Sequence, residues 1–345
     1  MEISKLGEFG LISHLTSRFT SVNSSTLKSV GDDAAVLDYA GKKTLVTTDL
    51  LLEGIHFDLV YTPLRHLGYK AAIVNFSDIY AMNGQPRQIT VSLGVSKRFT
   101  VEMLDELYEG INLACRNYNV DLVGGDTSAS LTGLTISITC IGEGEDGKIV
   151  YRDGAKENDL VCVSGDLGAA YMGLQLLERE KIVFAGDPDA QPDFTGKDYI
   201  LQRQLKPEAR RDIIEQLAAK NIIPTAMMDI SDGLSSELFH ICTQSKAGCQ
   251  IYEDKLPVSL QTEAMAEDLN FNVVTAVLNG GEDYELLFTA NLDDYNKILT
   301  LDNISIIGHI TKPEYGLNLV GRQGEEVPLK AQGWNAFETN VECKM

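Results

Sequence analysis

The sequence predicts an α+β fold in two domains, each with mixed sheet and helices. Three observations carry that expectation. A chain of 345 residues, at roughly 150 residues per domain, holds about two domains. Short strand-like runs and helical periods intermix in both halves, with no internal repeat at solenoid periods. Two strand-like runs around a Gly-rich turn between residues 134 and 152 read as an antiparallel hairpin, which argues against a purely parallel, doubly wound sheet. With 44% hydrophobic and 23% charged residues, 30 Gly and 9 Pro, the composition is globular and excludes disorder, collagen-like repeats and coiled coil.

The elements follow in chain order. Phe9, Ile12, Leu15 and Phe19 repeat at helical spacing, and a polar run from Thr20 to Ser29 follows. Strands are expected at Ala34–Leu37 and Thr44–Thr48. Thr62 and Pro63 read as N-cap and first position of a helix that runs to about Met82. Gln88–Val95 alternates as a strand, Thr100–Tyr118 reads as a helix, and Asp121–Gly125 and Leu134–Gly142 as strands. The polar stretch Arg152–Asp159 between apolar runs sets the expected boundary, giving domains 1–150 and 151–345. Beyond it come a strand at Leu160–Val163, a helix-entry turn at Gly165-Asp166-Leu167-Gly168 and a helix from Ala169 to about Leu177. Residues 180–197 read as a loop, and Pro207 as the opening of a helix. Ala226–Ile230, Tyr284–Thr289 and Ile304–Ile310 read as strands, and Ser235–Ser245 as a helix.

A balance of 29 Lys and Arg against 50 Asp and Glu leaves a formal charge of −21. Bulk electrostatics of that sign exclude nucleic acid and anionic membrane as partners. A chain this acidic that handles phosphates needs divalent metal. The six cysteines show neither C-x-x-C nor zinc spacing and read as reduced thiols. No stretch approaches the ~20 apolar residues of a membrane span and the N-terminus lacks a signal core, so the expected place is the cytoplasm.

Common motifs fail. Gly142-x-Gly144-x-x-Gly147 follows a strand, but Glu143, Glu145 and Asp146 would meet a pyrophosphate with three carboxylates, and a strand rather than a helix is expected after it. P-loop, G-x-S-x-G and H-E-x-x-H patterns do not occur.

What remains is a series of acids at strand ends and Gly-rich turns: Gly31-Asp32-Asp33-Ala34-Ala35, Thr47-Thr48-Asp49, Asn75-Phe76-Ser77-Asp78, Gly124-Gly125-Asp126-Thr127, Asp229-Ile230-Ser231-Asp232-Gly233 and Gly280-Gly281-Glu282-Asp283-Tyr284-Glu285. Turn chemistry alone accounts for any one of them. Apolar flanks such as Leu45-Val46 and Ile73-Val74 instead place several backbones near the core. Two unit charges ~4 Å apart repel by ~4 kcal/mol at an effective dielectric of about 20. Converging carboxylates therefore need a counter-charge, and Mg²⁺, which bridges carboxylate and phosphate oxygens, suits it. Ser231 or Asp232, before a helix, offers an N-cap and N–H donors for an oxyanion. Together these read as metal-assisted phosphoryl transfer.

In that order, and with Glu53-Gly54-Ile55-His56-Phe57 after Thr-Thr-Asp, the motifs resemble the thiamine-monophosphate kinase family of the aminoimidazole-ribonucleotide-synthetase-like superfamily. The resemblance runs from about Gly7 to Phe337. It implies that superfamily's two-domain α+β architecture and transfer of the γ-phosphate of ATP to thiamine monophosphate with several Mg²⁺ ions. It also implies a homodimer formed through an N-terminal ATP/Mg-binding domain, with a C-terminal domain completing the nucleotide and thiamine phosphate site. Asp33, Thr47, Thr48, Asp49, Asp78, Asp126, Asp229 and Asp232 resemble the family's metal-site residues. Tyr108, Gly125, Asp126, Arg152 and Ser231 resemble its ATP contacts, and His56, Glu282 and Trp334 its thiamine phosphate contacts. No catalytic base or nucleophile is expected. A phosphomonoester with a second pKa of ~6 is already largely ionised at neutral pH.

Some roles keep two readings. His56 contacts the substrate phosphate or caps a turn, Arg152 contacts nucleotide or forms a boundary salt bridge, and Trp334 stacks on thiamine or anchors the tail. Tyr80 and Asn335 depart from the family's pattern at the thiamine end. The competing classes are another ATP-dependent enzyme of the superfamily with a different acceptor, and a non-catalytic divalent-metal-binding protein. The early Gly-Asp-Asp, the His-Phe pair and the Gly-Gly-Glu-Asp-Tyr-Glu-Leu stretch favour the thiamine kinase.

Overall fold

The computed structural model describes residues 26–28, 32–33, 35–39, 42–187 and 192–331. The expected first helix and Trp334 lie outside them. Two sheets organise these residues. The first has the order β1-β2-β3-β6-β4-β5, from β1 (Thr26–Lys28), β2 (Ala35–Tyr39), β3 (Lys42–Leu52), β4 (Gln85–Val95), β5 (Asp121–Ala129) and β6 (Thr135–Gly144). Only the β4–β5 pair is parallel. β1 falls inside the expected polar run.

β3 shows how alternation sorts the faces. Leu45, Thr47 and Leu51 point inward and are buried, while Thr48 and Leu50 point outward and are exposed. The inner face is covered by α1 (Leu64–Ala81) and α2 (Val101–Tyr118). Pro63, not Thr62, is the extended N-cap residue of α1. Thr100 caps α2, its side chain accepting from Met103 N at 3.4 Å. α1 and α2 touch backbone to backbone, because a Cβ on Gly68 would stand 1.9 Å from Leu107 O and one on Gly110 1.9 Å from Arg65 O.

The second sheet has the order β13-β12-β9-β11-β7-β10-β8. Its strands are β7 (Leu160–Ser164), β8 (Ala226–Asp229), β9 (Gly248–Tyr252), β10 (Leu286–Ala290), β11 (Ile304–Thr311), β12 (Leu317–Val320) and β13 (Glu326–Pro328). β7, β8 and β10 are buried along their whole length, which explains their unbroken apolar sequences. The described helices here include α3 (Ala169–Gly186), α4 (Asp198–Leu205), α5 (Arg211–Ala219), α6 (Leu234–Ser245), α7 (Leu260–Asp268) and α8 (Val273–Asn279). The fold is α+β, as the sequence predicts.

α1 is the hub. It packs on the first sheet and also meets β8 of the second, and every residue from Leu67 to Ser77 is buried. A helix apolar on all sides belongs between layers. Phe76 and Tyr80 accordingly share one core with Cys162, Met227 and Phe288.

Four local expectations need correction. Residues 148–151 form no strand: after a turn closed by Lys148 N on Glu145 O (3.0 Å), Val150 N donates to Met82 O and Tyr151 O accepts from Met227 N. The chain thus crosses to the second sheet instead of returning along the first. Helix α3 continues past Leu177 to Gly186, because its polar side chains are engaged from outside. Tyr61 Oη donates to Glu178 at 2.7 Å and Lys181 pairs with Asp58 at 2.7 Å. Pro207 opens no helix, since it stands between α4 and α5. Finally, neither Ser231 nor Asp232 is the N-cap of α6, which is Gly233 at φ +119°.

Candidate active site

Four elements bring carboxylates to the seam between the sheets. Asp33 precedes β2, Asp49 is on β3, Asp78 lies in the last turn of α1, and Asp229 ends β8. Carboxylate oxygens of Asp33, Asp78 and Asp229 lie within 4.8 Å of one another. Thr47 Oγ1 donates to Asp78 at 2.5 Å, and Ser77 Oγ to Asp229 at 2.5 Å. Arg152 pairs with Asp33 through Nη2 and, at 3.3 Å, Nε, while its backbone N–H donates to Asp32 at 2.9 Å. Of the two adjacent acids, Asp33 is the one in the cluster. Asp49 Oδ2 is buried with no hydrogen-bond partner.

Burial and mutual repulsion oppose the charged forms. Burial first, then Asp33, pushes Asp49 up to about 6. Asp229 rises to about 8 from burial and Asp33, and Asp78 well above the carboxylate range from burial and Asp49. An all-oxygen donor set, clustered and carrying an unpartnered buried oxygen, fits a hard divalent cation such as Mg²⁺.

Beside the cluster is a cavity of about 140 Å³, lined in part by Asp49, His56, Asp78, Asp229, Ser231 and Glu282. Lys70 and Val74 of α1 also line it. The spacing of Lys70, Val74 and Asp78 is one helical face. His56 closes the turn of its second reading, its Nδ1 accepting from Leu52 N at 3.0 Å, and it also lines the cavity. The Gly280–Glu285 turn folds against the Asp229–Asp232 loop, with Glu282 N donating to Ser231 O at 2.7 Å. A Cβ on Gly281 would stand 2.3 Å from that same carbonyl. Glu282 and Tyr284 adopt left-handed φ of 67° and 51°, conformations that persist only where surroundings impose them. Those surroundings are fixed. Asp283 accepts from Gly168 N (2.7 Å) and Ala170 N (3.2 Å) at the start of α3, which confirms the helix-entry turn there. Glu285 accepts from Arg203, Arg210 and Ser164.

Three comparisons place the chain. Residues 31–143 match the family described as AIR synthase related protein, N-terminal domain. The thiamine-monophosphate kinase of Aquifex aeolicus is 36% identical over 98% of this chain and 100% of its own length. That of Bacillus subtilis is 33% identical over 96% and 100%. The chain belongs to the thiamine-monophosphate kinase family. A solved structure described as AaThiL complexed with AMPPCP and TMP superposes with a TM-score of 0.83 at 35% identity, covering 97% of this chain and 99% of that one.

Of the residues that the thiamine-monophosphate kinase resemblance implies, the seam gathers Asp33, Thr47, Asp49, Asp78, Asp229, His56, Ser231 and Glu282. Others stand apart. Thr48 faces the open side of the first sheet, its hydroxyl donating to Ile138 O and accepting from Thr139. Gly125 and Asp126 are on the exposed edge strand β5, separated from β3 by β4 and β6. Tyr108 lines a different cleft of about 1050 Å³ along α2. Asp232 is in the loop before α6, outside the trio. Arg152 forms the salt bridge of its second reading, but with a candidate metal ligand.

Three contributors escaped sequence reasoning. Ser77 sits inside a recognised motif, yet nothing in the sequence marks its bond to Asp229. Glu237 Oε1 accepts from Ser231 N (3.2 Å) and Asp232 N (2.8 Å) and so shapes that loop. A Glu four residues after the N-cap Gly233 was a visible signal. Lys70 was visible too, as one cation in the apolar run Gly68–Val74.

Proposed function

We propose that the chain phosphorylates thiamine monophosphate to thiamine diphosphate with ATP, and that the acidic seam holds the Mg²⁺ this needs. Family membership supports the reaction. The single observation that supports the site is the trio Asp33, Asp78 and Asp229, brought from the approach to β2, the end of α1 and the end of β8 to within 4.8 Å of one another. Asp49 and Thr47 complete the buried part of the metal set. Bound Mg²⁺ supplies the charge neutralisation that lets two phosphate groups approach.

The chain's own residues hold and orient. His56, Glu282 and Trp334 contact thiamine phosphate, while Tyr108, Gly125, Arg152 and Ser231 contact ATP. Arg152 then exchanges its Asp33 pairing for nucleotide contact. The acceptor oxygen, with a second pKa of ~6, needs no proton removed by the protein.

Thr48, Asp126 and Asp232 belong to this reading as further metal ligands. Thr48 shares the open face of the first sheet with the half-exposed Leu50 (52%), and Leu122 and Val123 are exposed on β5 beside Asp126. An uncovered sheet face of this kind is suited to a second copy. We therefore read the chain as a homodimer through residues 1–150, the ATP- and Mg-binding domain, with residues 151–345 completing the site. The described cysteines are free and buried, in keeping with a cytoplasmic enzyme. No helix among the described residues is long and apolar enough to cross a membrane.

The test incubates the protein with ATP, Mg²⁺ and thiamine monophosphate and separates products by chromatography. Stoichiometric thiamine diphosphate and ADP, lost when Mg²⁺ is omitted, is the expected result. ADP without thiamine diphosphate moves the acceptor elsewhere in the superfamily, and neither product overturns the enzyme reading.

A further inference from the structure

Among the described residues that line the seam cavity, which include Asp49, Asp78, Asp229 and Glu282, Lys70 is the single lysine or arginine. Its side chain is only 6% exposed. Burying an ammonium is costly unless it is paired, and its pairing is specific. Nζ lies 2.9 Å from Glu282 Oε1 and donates to Gln204 O at 3.0 Å. Gln204 Nε2 in turn donates to the other Glu282 oxygen at 2.7 Å. An ammonium has three donors. Two are accounted for here, and the group borders the cavity.

We infer that Lys70 binds the acceptor phosphate of the substrate, and that the Lys70–Glu282 pair reads the two opposite charges of thiamine monophosphate. This rests on the kinase reading above and adds to it a residue and a polarity. The charges assign the ends. The cationic thiazolium is repelled by Lys70 and attracted by Glu282, whereas a phosphate is repelled by every carboxylate of the cavity and attracted by Lys70. A lysine ammonium is a compact point charge on a flexible stem, well suited to a phosphate oxygen. At about 140 Å³, the cavity is smaller than the roughly 300–1,000 Å³ of whole-ligand pockets, so it takes one group of the ligand. The backbone carbonyl of Gln204 on α4 and the helix α1 that carries Lys70 hold the ammonium in place from both sides of the seam.

The competing account is that Lys70 only positions Glu282. A double-mutant cycle separates the two. Thiamine monophosphate affinity is measured by titration calorimetry with Mg²⁺ present, for wild type, Lys70→Gln, Glu282→Gln and the double variant, with thermal melting to verify folding. Loss of one hydrogen bond to a charged group weakens binding by roughly 10- to 100-fold. That loss is expected for Lys70→Gln whether residue 282 is Glu or Gln, with the KM for ATP changed by less than about twofold and partial recovery in Lys70→Arg. Should Lys70→Gln prove unfolded, Lys70→Met replaces it, since that side chain fills the same volume. A loss seen with Glu282 but absent in the Glu282→Gln background overturns the inference, as does no loss at all. Thiamine diphosphate production by wild type is assayed alongside. Its absence overturns the kinase reading itself, while wild-type turnover with unaltered Lys70 variants overturns the inference alone.

Discussion

Replacing Asp78 by Asn should stabilise the metal-free protein while removing its response to Mg²⁺. Arg152 pairs with Asp33, yet Asp33 still acts on Asp229, and Asp49 and Asp229 act on Asp78, so the clustered carboxylates repel one another. At the 4.8 Å limit of the cluster, two unit charges at an effective dielectric of about 20 repel by about 3 kcal/mol. The pH dependence gives the sign. Burial raises Asp229 to about 8 and Asp78 well above the carboxylate range, so the folded state holds protons that the unfolded state has released. The metal-free protein therefore loses stability as pH rises from the unfolded carboxylate value, about 4, through about 8. Asp78→Asn takes away one repelling carboxylate, and its advantage over wild type grows with pH toward about 3 kcal/mol as the cluster ionises. Asn keeps an oxygen to accept from Thr47 Oγ1, so the local hydrogen bond survives. The assay is thermal denaturation of wild type and variant across that pH range, in EDTA and in excess MgCl₂. Mg²⁺ should raise the wild-type midpoint, as any ligand of the folded state does, and leave the variant nearly unmoved. A variant that melts below wild type at every pH, with its Mg²⁺ response intact, would refute both the repulsion and the metal assignment.

Asp49→Asn should cut turnover by at least about 100-fold, since removing an electrostatic contact of the reacting groups costs that much. Its melting midpoint should stay within a few degrees of wild type, and normal activity would remove Asp49 from the metal set. Glu285→Gln leaves Arg203 and Arg210 facing a neutral group at a site 1% exposed. Breaking one side of a buried ion network costs about 3–5 kcal/mol, read as a lowered urea midpoint, and an unchanged midpoint would contradict the network's role. Leu50→Asp puts a charge on the open face of β3. If the proposed homodimer forms through that face, the variant should sediment as a monomer where wild type sediments as a dimer, and equal masses would refute that interface.

Where local and tertiary signals agree, the sequence was legible. Thr100 capping α2, the alternation along β3 and the unbroken apolar runs of β7 and β10 are each set within a few residues. The acids Asp33, Asp49, Asp78 and Asp229 were legible because apolar neighbours pull their backbones into the core. Convergence itself was not: Asp126 also follows an apolar pair, Leu122-Val123, yet its strand is an exposed edge. The charged end of α3 read as loop because its partners Asp58 and Tyr61 lie more than a hundred residues earlier in the chain. The expected hairpin failed for a similar reason. Residues 148–151 have strand-forming side chains, but their backbone bonds go to Met82 and Met227.

The placement of chemistry on α1 follows from its burial. A helix between two sheets meets water on no side over Leu67–Ser77, so a charged side chain it carries there needs a partner brought to it. Lys70, Ser77 and Asp78 are met by Glu282, Asp229 and Thr47, from three elements that are remote in sequence. Each polar pair thus fixes a register between the helix and one of its neighbours, and together they fix the relative position of the two sheets at the site. The carboxylates that remain in mutual repulsion are those a cation would join. Ion binding should then tighten the seam as well as fill it, so Mg²⁺ is expected to slow amide hydrogen exchange in β3, in the last turn of α1 and in β8 together. Protection confined to a single one of these elements would mean that the ion is held by one side of the seam.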